Sequence, residues 1–217
     1  MNCGFCNLDR SKNPEIWNTV LFETSNFFVV PTLGALVEGW LLIVSKEHYL
    51  CVGELDSELF EELEKLTFKV SNFLTKLYGD ITIFEHGPAV PNQLVGCSVD
   101  HLHLHLAPLS FDLLGATKNI IDLEWTELVD FKQSKEYFNR SKPYVYIKNP
   151  KNEQFIATSN VFPSQTLRQA IAYEINKFEK YNWRNNLEID HIMSTIKTIQ
   201  NSPFYTECDN LELSVYD

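Results

Sequence analysis

Apolar and polar residues alternate strictly in one short stretch of the chain, residues 100–108. His101, His103 and His105 occupy every second position, and a leucine follows each of them. This alternation is the period of a β-strand, whose successive side chains point to opposite faces of a sheet. The pattern therefore predicts a strand with three imidazoles on one face and three leucines on the face that packs against a core.

The clearest helical pattern covers residues 56–78. Apolar residues recur there at alternating steps of four and three, and they form one stripe on a helix; these residues are Leu59, Leu63, Leu66, Val70, Phe73 and Leu77. Asp56 is a suitable N-cap, and Gly79 is a natural stop after the last turn. The stripe predicts a helix that covers the leucine side of the sheet.

Shorter apolar runs on both sides of this helix have the length of strands. They lie at residues 20–23, 27–31, 39–44 and 81–84, and the first two are separated by a polar segment that suits a turn. With the histidine strand they make about five strands. We therefore predict an α+β domain over residues 1–110, with an antiparallel sheet of about five strands backed by one helix.

The pattern changes beyond residue 110, where we predict an extension over residues 111–217 with two to three helices and a hairpin. Helices are predicted at 126–137, 164–180 and 186–201, and the hairpin joins strands at 144–147 and 155–158. Gln165 and Arg168 lie three residues apart, so they share a face at the start of the second of these helices. They are candidates for binding a phosphate, and the alternative is that Arg168 is an ordinary exposed residue.

Composition indicates a soluble globular protein. The 217 residues are 44% hydrophobic and 22% charged, and no apolar run approaches the roughly 20 residues that cross a bilayer. The start of the chain lacks the basic and apolar regions of a signal peptide. A formal net charge of −11 opposes binding to long nucleic acids. The five scattered cysteines suit a reducing compartment, so we expect a cytoplasmic protein without membrane contact.

Cys3 and Cys6 form a Cys-x-x-Cys pair near the start of the chain. Such a pair is either a redox dithiol or half of a zinc site. A redox pair is expected where a strand leads into a helix, and no strand precedes this one. The pair therefore favours zinc, and His48 and His101 are available to complete the site.

The histidine-rich stretch suits chemistry on phosphate or metal binding by imidazole. A merely solvated strand face normally mixes Lys, Glu, Thr and Ser, whereas neutral imidazole is both a nucleophile and a metal ligand. Residues 101–107, His-Leu-His-Leu-His-Leu-Ala, resemble the signature of the histidine triad family of nucleotide hydrolases and transferases. Residues 96–100, Gly-Cys-Ser-Val-Asp, resemble the segment that precedes this signature. The resemblance covers roughly the first half of the chain.

This resemblance implies a mechanism and its residues. His103 would attack the α-phosphorus of a nucleotide to form a nucleotidyl-histidine intermediate, and His105 would bond the leaving oxygen. Ser98, with the backbone of Gly96 and Cys97, would hold the phosphate oxygens.

Glu85 stands where the family usually has Asn or Gln in contact with phosphate or ribose. It is a candidate for binding the ribose of the substrate or for holding His86 or His105.

The resemblance also implies a structural zinc site. Zinc-containing members of the family use an N-terminal Cys-x-x-Cys, a histidine after the long central strand and the first histidine of the triad. These residues are Cys3, Cys6, His48 and His101. Two departures from the family lie nearby, because Trp40 stands where histidine is common and Ser45 where proline is.

Three functions remain open at this stage. The first is a nucleotide hydrolase or transferase that acts on phosphoramidates or dinucleoside polyphosphates, with adenine as the preferred base. The second is a metallohydrolase whose catalytic metal is held by the triad, and the third is a non-catalytic nucleotide-binding or scaffolding protein. The resemblance implies a possible homodimer through the long helix and an edge strand, unless the extension covers that surface.

Overall fold

The structure is a computed structural model that describes residues 3–8, 15–92, 99–159 and 161–205. Its centre is an antiparallel sheet of eight strands in the order β1-β2-β3-β5-β4-β7-β8-β6. The strands are β1 (Phe22–Glu23), β2 (Phe27–Pro31), β3 (Leu41–Ser45), β4 (Ile81–Gly87), β5 (His103–Pro108), β6 (Trp125–Leu128), β7 (Tyr144–Lys148) and β8 (Gln154–Thr158). The helices are α1 (Ser57–Tyr78), α2 (Leu113–Ile120), α3 (Ser134–Asn139), α4 (Thr166–Glu174) and α5 (Ile189–Gln200). The predicted α+β class with an antiparallel sheet is confirmed.

The sheet has eight strands rather than about five, because the second half of the chain adds three. β7 pairs with β4 from Ile83↔Lys148 to Gly87↔Tyr144, and β8 and β6 follow it outward. The hairpin of the extension therefore continues the sheet of the first half, and apolar residues of both halves share one core. The division near residue 110 stays a prediction.

One predicted element of the extension is wrong. Residues 126–137 were expected to form one helix, but β6 occupies Trp125–Leu128 and only Ser134–Asn139 is α-helical. Trp125 pairs with Ala157 and Leu128 with Gln154 at the outer edge of the sheet. Pairing with β8 therefore decides the conformation of this segment, and local helical spacing does not.

The long helix α1 forms as the apolar stripe predicts. The side chain of Asp56 accepts a hydrogen bond from the backbone N–H of Leu59 at 2.9 Å, and Gly79 ends the helix with a φ of +88°. Its inward side chains are Phe60, Leu63, Leu66, Val70, Phe73 and Leu74. They share the core with Leu104 and Leu106 of β5. Burying each such side chain contributes about 1.5–3 kcal/mol, so α1 fixes the leucine face of the histidine strand.

The extension also contacts the opposite face of the sheet. The loop at Gly34 approaches Trp183 so closely that a Cβ at Gly34 would lie 2.7 Å from the Cβ of Trp183. Gly34 has a φ of +77°, which favours glycine, and its N–H donates to the carbonyl oxygen of Leu187 at 2.8 Å. This close contact holds the segment after α4 beside the histidine face.

No helix in the described ranges combines the length and the apolar composition needed to cross a membrane.

Candidate functional site

The histidine strand β5 lies between β3 and β4 in the sheet, and its register sets the candidate site. His105 pairs with Leu42 on one side and Phe84 on the other, and His103 pairs with Val44. Leu102, Leu104 and Leu106, which alternate with the histidines, are buried on the α1 side. The alternation seen in the sequence thus places His103 and His105 together on the other face.

A cavity of about 390 Å³ opens over this face of the sheet. It suits a small ligand because aromatic rings and a few polar groups line it together. The aromatic residues are Phe5, Trp17, Trp40, Phe84 and Trp183. The polar residues are Asn18, Thr32, His86, His103, His105, Gln165 and Arg168.

His103 is held in one tautomer by its own strand. Its Nδ1 lies 2.6 Å from the carbonyl oxygen of His101. A carbonyl can only accept a hydrogen bond, so Nδ1 carries the proton and the lone pair of the neutral ring is on Nε2. Burial lowers the pKa of His103, which favours this neutral form. The imidazole therefore has the form that a nucleophile requires.

His105 is held in the opposite tautomer. The indole Nε1–H of Trp40 donates to Nδ1 of His105 at 3.1 Å, so the proton of the neutral ring is on Nε2. Phe84 stacks on this ring with centroids 4.7 Å apart and an interplanar angle of 5°. Burial, with smaller contributions from His103 and His86, places the pKa of His105 well below its usual value. His105 is therefore a neutral hydrogen-bond donor at Nε2.

The four residues of the expected zinc site lie together. The ligand atoms of Cys3, Cys6, His48 and His101 are all within 4.8 Å of one another. Sγ of Cys3 is 3.3 Å from Nδ1 of His101, and Sγ of Cys6 is 3.2 Å from Nδ1 of His48. Two sulfurs and two imidazole nitrogens are a donor set that suits tetrahedral zinc.

The environment of His101 fits a metal ligand. Its Nε2 donates to the carbonyl oxygen of Ser45 at 2.8 Å, which leaves the lone pair on the Nδ1 that faces the cysteines. Burial lowers the pKa of His101 to about 4, and repulsion from His48 and His103 adds to the effect. His101 precedes the first residue of β5, and its ring belongs to the cysteine cluster.

The zinc-site segment also forms part of the cavity. Phe5 lies between Cys3 and Cys6 in the sequence, and its ring centroid is 5.5 Å from that of His101 and 5.6 Å from that of His103. One aromatic side chain thus contacts both the cluster and the cavity.

Gln165 and Arg168 lie where the extension meets the cavity, and both line it. Arg168 is only 7% exposed, so the alternative of an ordinary exposed arginine is wrong. Its guanidinium donates to the carbonyl oxygens of Gly34 and Tyr181, and more weakly to that of Lys180 at 3.3 Å. Burial lowers the pKa of Arg168 to about 10, so it stays charged.

Glu85 does not line the cavity among the described residues. It alternates with Phe84 and His86 along β4, so its side chain lies on the opposite face of the sheet. There it accepts hydrogen bonds from the N–H of Val52 at 2.9 Å and the hydroxyl of Tyr144 at 2.6 Å. Burial raises the pKa of Glu85 to about 7. This position corrects the expectation that Glu85 binds the substrate or holds a histidine.

The expected phosphate-binding residues Gly96, Cys97 and Ser98 lie outside the described residues. Their roles stay predictions. Val99, which follows them, lines the cavity.

Trp40 was missed by the sequence analysis as a functional group, and His86 was named there only as a residue that Glu85 would hold. His86 lines the cavity, and its Nε2 accepts a weak hydrogen bond from the N–H of Leu167 at 3.5 Å. Burial lowers the pKa of His86 to about 3. Trp40 was noted only as a departure from a pattern, but it contacts His105. The alternation of side chains along a strand could have indicated both residues. Once the strand register is known, it places Phe84, His86, Trp40 and Leu42 on the face that carries His105.

The sequence profile of the family described as "Scavenger mRNA decapping enzyme C-term binding" matches residues 2–121, more than half of the 217 residues. No curated protein sequence matches the chain significantly.

Several solved structures are similar to this chain. A hypothetical histidine triad nucleotide-binding protein from Sulfolobus tokodaii is 22% identical, covers 51% of this chain and 71% of its own, and has a TM-score of 0.40. A Zn-bound histidine triad family protein from Mycobacterium smegmatis is 19% identical, with coverages of 65% and 93% and a TM-score of 0.41. Yeast Ap4A phosphorylase in complex with Ap4A is 13% identical, with coverages of 85% and 78% and a TM-score of 0.43.

Proposed function

The chain belongs to the histidine triad family, and on that premise we propose that it is an enzyme that processes nucleotides through a covalent bond to His103. The substrate class is a nucleotide conjugate, such as a nucleoside phosphoramidate or a dinucleoside polyphosphate, with adenine as the preferred base. The enzyme is a hydrolase if water accepts the nucleotidyl group and a transferase if a phosphorylated molecule accepts it.

The observation that carries this proposal is the pair of opposite tautomers in one cavity. His103 has its lone pair on Nε2, and His105 has its proton on Nε2. One ring is thus a nucleophile and its neighbour is a donor, with centroids 5.1 Å apart. This combination suits attack on a phosphorus atom whose leaving oxygen gains negative charge.

The reaction proceeds in two displacements. Nε2 of His103 forms a bond to the α-phosphorus, and the bond from that phosphorus to its bridging oxygen or nitrogen breaks. The leaving atom takes the electron pair and the proton of His105 Nε2. Water or another acceptor then attacks the same phosphorus, the proton of an attacking water returns to Nε2 of His105, and the electron pair of the P–N bond returns to His103.

Positive charge near the phosphates comes from the extension. Arg168 keeps its charge and lines the cavity beside His105, and Gln165 adds an amide. We propose that both contact the phosphates or the sugar, because the guanidinium and the amide are donors to oxygen. The backbone of Gly96 and Cys97, with the hydroxyl of Ser98, is proposed to complete the phosphate site.

The proposed zinc is structural. Cys3, Cys6, His48 and His101 would supply all four ligands of a closed site, which stabilises the segment carrying Phe5. The alternative of a catalytic metal held by the whole triad is disfavoured. His101 directs Nδ1 to the cysteines, whereas His103 uses its own Nδ1 to donate to a carbonyl.

Two features favour a non-catalytic binding role, the carboxylate of Glu85 expected beside the phosphate and the large extension. The first no longer supports it because Glu85 lies on the other face of the sheet. The enzyme proposal is therefore the stronger one.

A turnover assay tests the proposal. We expect the wild-type chain to release AMP from adenosine 5′-phosphoramidate or from a diadenosine polyphosphate, as measured by chromatography. His103→Ala should lower the rate at least ~10³-fold because it removes the nucleophile. The matched control is His191→Ala on α5, where the ring donates to the carbonyl oxygen of Ala35 at 2.7 Å and lies 4.0 Å from the carboxylate of Glu188, outside the cavity. Full activity in His103→Ala would contradict the proposal.

A homodimer also stays a proposal. β4 is not an edge strand, because the chain's own β7 pairs with it. A dimer would therefore have to use the outer face of α1 or one of the end strands, β1 and β6. Light scattering coupled to size-exclusion chromatography would decide between a monomer and a dimer.

The proposed location is the cytoplasm. A reducing compartment keeps the thiols of Cys3 and Cys6 available to a metal. Imaging of a fluorescent fusion would test this location.

A further inference from the structure

We propose that Trp40 is a positioning residue that keeps His105 in the tautomer with its proton on Nε2. The proposal rests on the proposed function for its catalytic consequence, because that function gives His105 the task of donating a hydrogen bond. Its structural content is independent of any substrate, and it can be measured on the protein alone.

The geometry of the contact allows one arrangement of protons. The indole Nε1–H is a donor and has no acceptor capacity, and it lies 3.1 Å from Nδ1 of His105. Nδ1 must therefore accept. In a neutral imidazole the proton is then on Nε2. Trp40 is 1% exposed, so water does not compete with His105 for the indole N–H.

Packing prevents the imidazole from turning away. Phe84 stacks on His105 with an interplanar angle of 5°, and the ring of Trp40 meets the imidazole edge-on with centroids 5.7 Å apart. The rings of Trp40 and Phe84 also pack against each other, with centroids 5.6 Å apart. A ring flip of His105 would have to displace both neighbours and would leave the buried indole N–H without its acceptor.

Trp40 is itself fixed by residues of both halves of the chain. Its carbonyl oxygen accepts from the N–H of Thr32 at 3.1 Å. The guanidinium of Arg168 lies 5.5 Å from the centre of the indole ring, and carbonyl oxygens of Gly34 and Tyr181 hold that guanidinium. A cation in this position stabilises the indole ring. The extension therefore contributes to the orientation of a histidine that it does not contain.

The tautomer matters for the reaction because it decides what His105 presents to the leaving atom. A proton on Nε2 stabilises developing negative charge, whereas a lone pair there repels it. Loss of the indole N–H should therefore lower kcat more than it changes KM. Removing a partner that orients a reacting group commonly costs about 10- to 100-fold in activity.

The test is NMR spectroscopy of the full chain labelled with ¹⁵N-histidine at neutral pH. Two-bond correlations between ring carbon-bound protons and the two nitrogens report the tautomer of each histidine. The His105 signals are assigned as those missing from His105→Asn. We expect the Nε2–H tautomer for His105 in the wild type and a mixture of both tautomers in Trp40→Phe.

Two further variants separate the effect of losing the indole N–H of Trp40 from the effect of changing the packing of its ring. Replacement of Trp40 by 3-benzothienylalanine keeps the ring shape and substitutes sulfur for the N–H, so it should reproduce the effect of Trp40→Phe even if that variant folds poorly. Trp125→Phe is the matched control, because Trp125 lies on β6 and packs against Val145 and Phe162. It should change neither the tautomer nor kcat.

The outcomes are distinct. A proton on Nδ1 of wild-type His105, or an unchanged tautomer in both Trp40 variants, would overturn the proposal. A tautomer change with unchanged kcat would overturn the positioning role. A tautomer change in a chain that turns over no nucleotide conjugate would support the positioning of His105 and contradict the proposed function instead.

Discussion

His101 and His103 are two residues apart on one stretch of chain, yet their rings face different chemistry. His101 donates through Nε2 to the carbonyl of Ser45 and directs Nδ1 to the cysteine pair. His103 donates through Nδ1 to the carbonyl of His101 and has its lone pair on Nε2. The residue type is the same and both partners are backbone carbonyls. The nitrogen that is bound decides whether the ring suits a metal or a phosphorus atom.

Removing each imidazole ring in turn is the strongest test of the different roles of His101 and His103. His101→Ala should lower metal affinity by at least about 10- to 100-fold, the loss that follows removal of a group that only orients a ligand, and the melting temperature by roughly 4–10 °C. His103→Ala should retain the metal and normal melting but lose turnover. Elemental analysis after gel filtration, together with calorimetry, separates the two effects. Equal metal content in both variants would contradict the division of roles.

Arg168 tests whether its buried hydrogen bonds between the extension and the first half of the chain stabilise the fold around the cavity. Arg168→Met removes the donors to the carbonyl oxygens of Gly34, Tyr181 and Lys180. Leaving these groups without a partner should lower the free energy of unfolding by about 3 kcal/mol. Denaturant titration measures this loss.

Arg184→Met is the control for that experiment. Arg184 is exposed and lies over the ring of Trp183, so the variant should change the free energy of unfolding by less than about 0.5 kcal/mol. Equal losses in the two variants would show that the buried hydrogen bonds of Arg168 do not matter.

Glu85 tests whether a carboxylate, rather than tautomers, sets the roles of the histidines. Its pKa is raised by burial from 4.5 to about 7, so the folded state binds the proton more tightly than the unfolded state. Stability from this group is complete below about pH 4.5 and is lost as the pH rises through 7. Across that range wild type should lose roughly 2–3 kcal/mol more stability than Glu85→Gln.

The readout is the free energy of unfolding of both proteins at the two ends of this pH range. Turnover by Glu85→Gln should stay within about threefold of wild type because the side chain lies outside the cavity. A large loss of activity with unchanged substrate affinity would give Glu85 a role that its position opposes.

Phe5 contacts both regions, because its ring lies beside His101 of the metal cluster and beside His103 of the cavity. Phe5→Ala should raise KM about tenfold, which is about 1.4 kcal/mol of binding, because one wall of the cavity is lost. Metal content should not change, since the ligands are Cys3 and Cys6 themselves. Phe68→Ala is the matched control, because Phe68 is 68% exposed on α1. Loss of metal in Phe5→Ala would show that the metal site and the cavity are not independent of each other.

The sequence predicts the parts of the fold that depend on the periodic spacing of apolar residues. The alternation of histidine and leucine requires a strand, and the stripe from Leu59 to Leu77 requires a helix. The same information fails at residues 126–128, where spacing suggested a helix and pairing with β8 makes a strand. Long-range pairing is not a property of a local segment.

The candidate site is predictable to a similar extent. Cys3, Cys6, His48 and His101 meet as the resemblance implies. Glu85 and His86 could not be distinguished from the sequence, because a shift of one residue exchanges the two faces of a strand. The register of β4 with β5 places His86 in the cavity and Glu85 behind it. The role of Trp40 depends on a single contact that no sequence period encodes.

The most direct test of the account is the intact mass of the protein. The pure chain is mixed briefly with adenosine 5′-phosphoramidate or a diadenosine polyphosphate and quenched at alkaline pH, which preserves a phosphorus–nitrogen bond. We expect the mass of one adenylyl group to be added to wild type and to His101→Ala, and to be absent in His103→Ala. An adduct that persists without His103, or turnover without any adduct, would contradict covalent catalysis by this histidine.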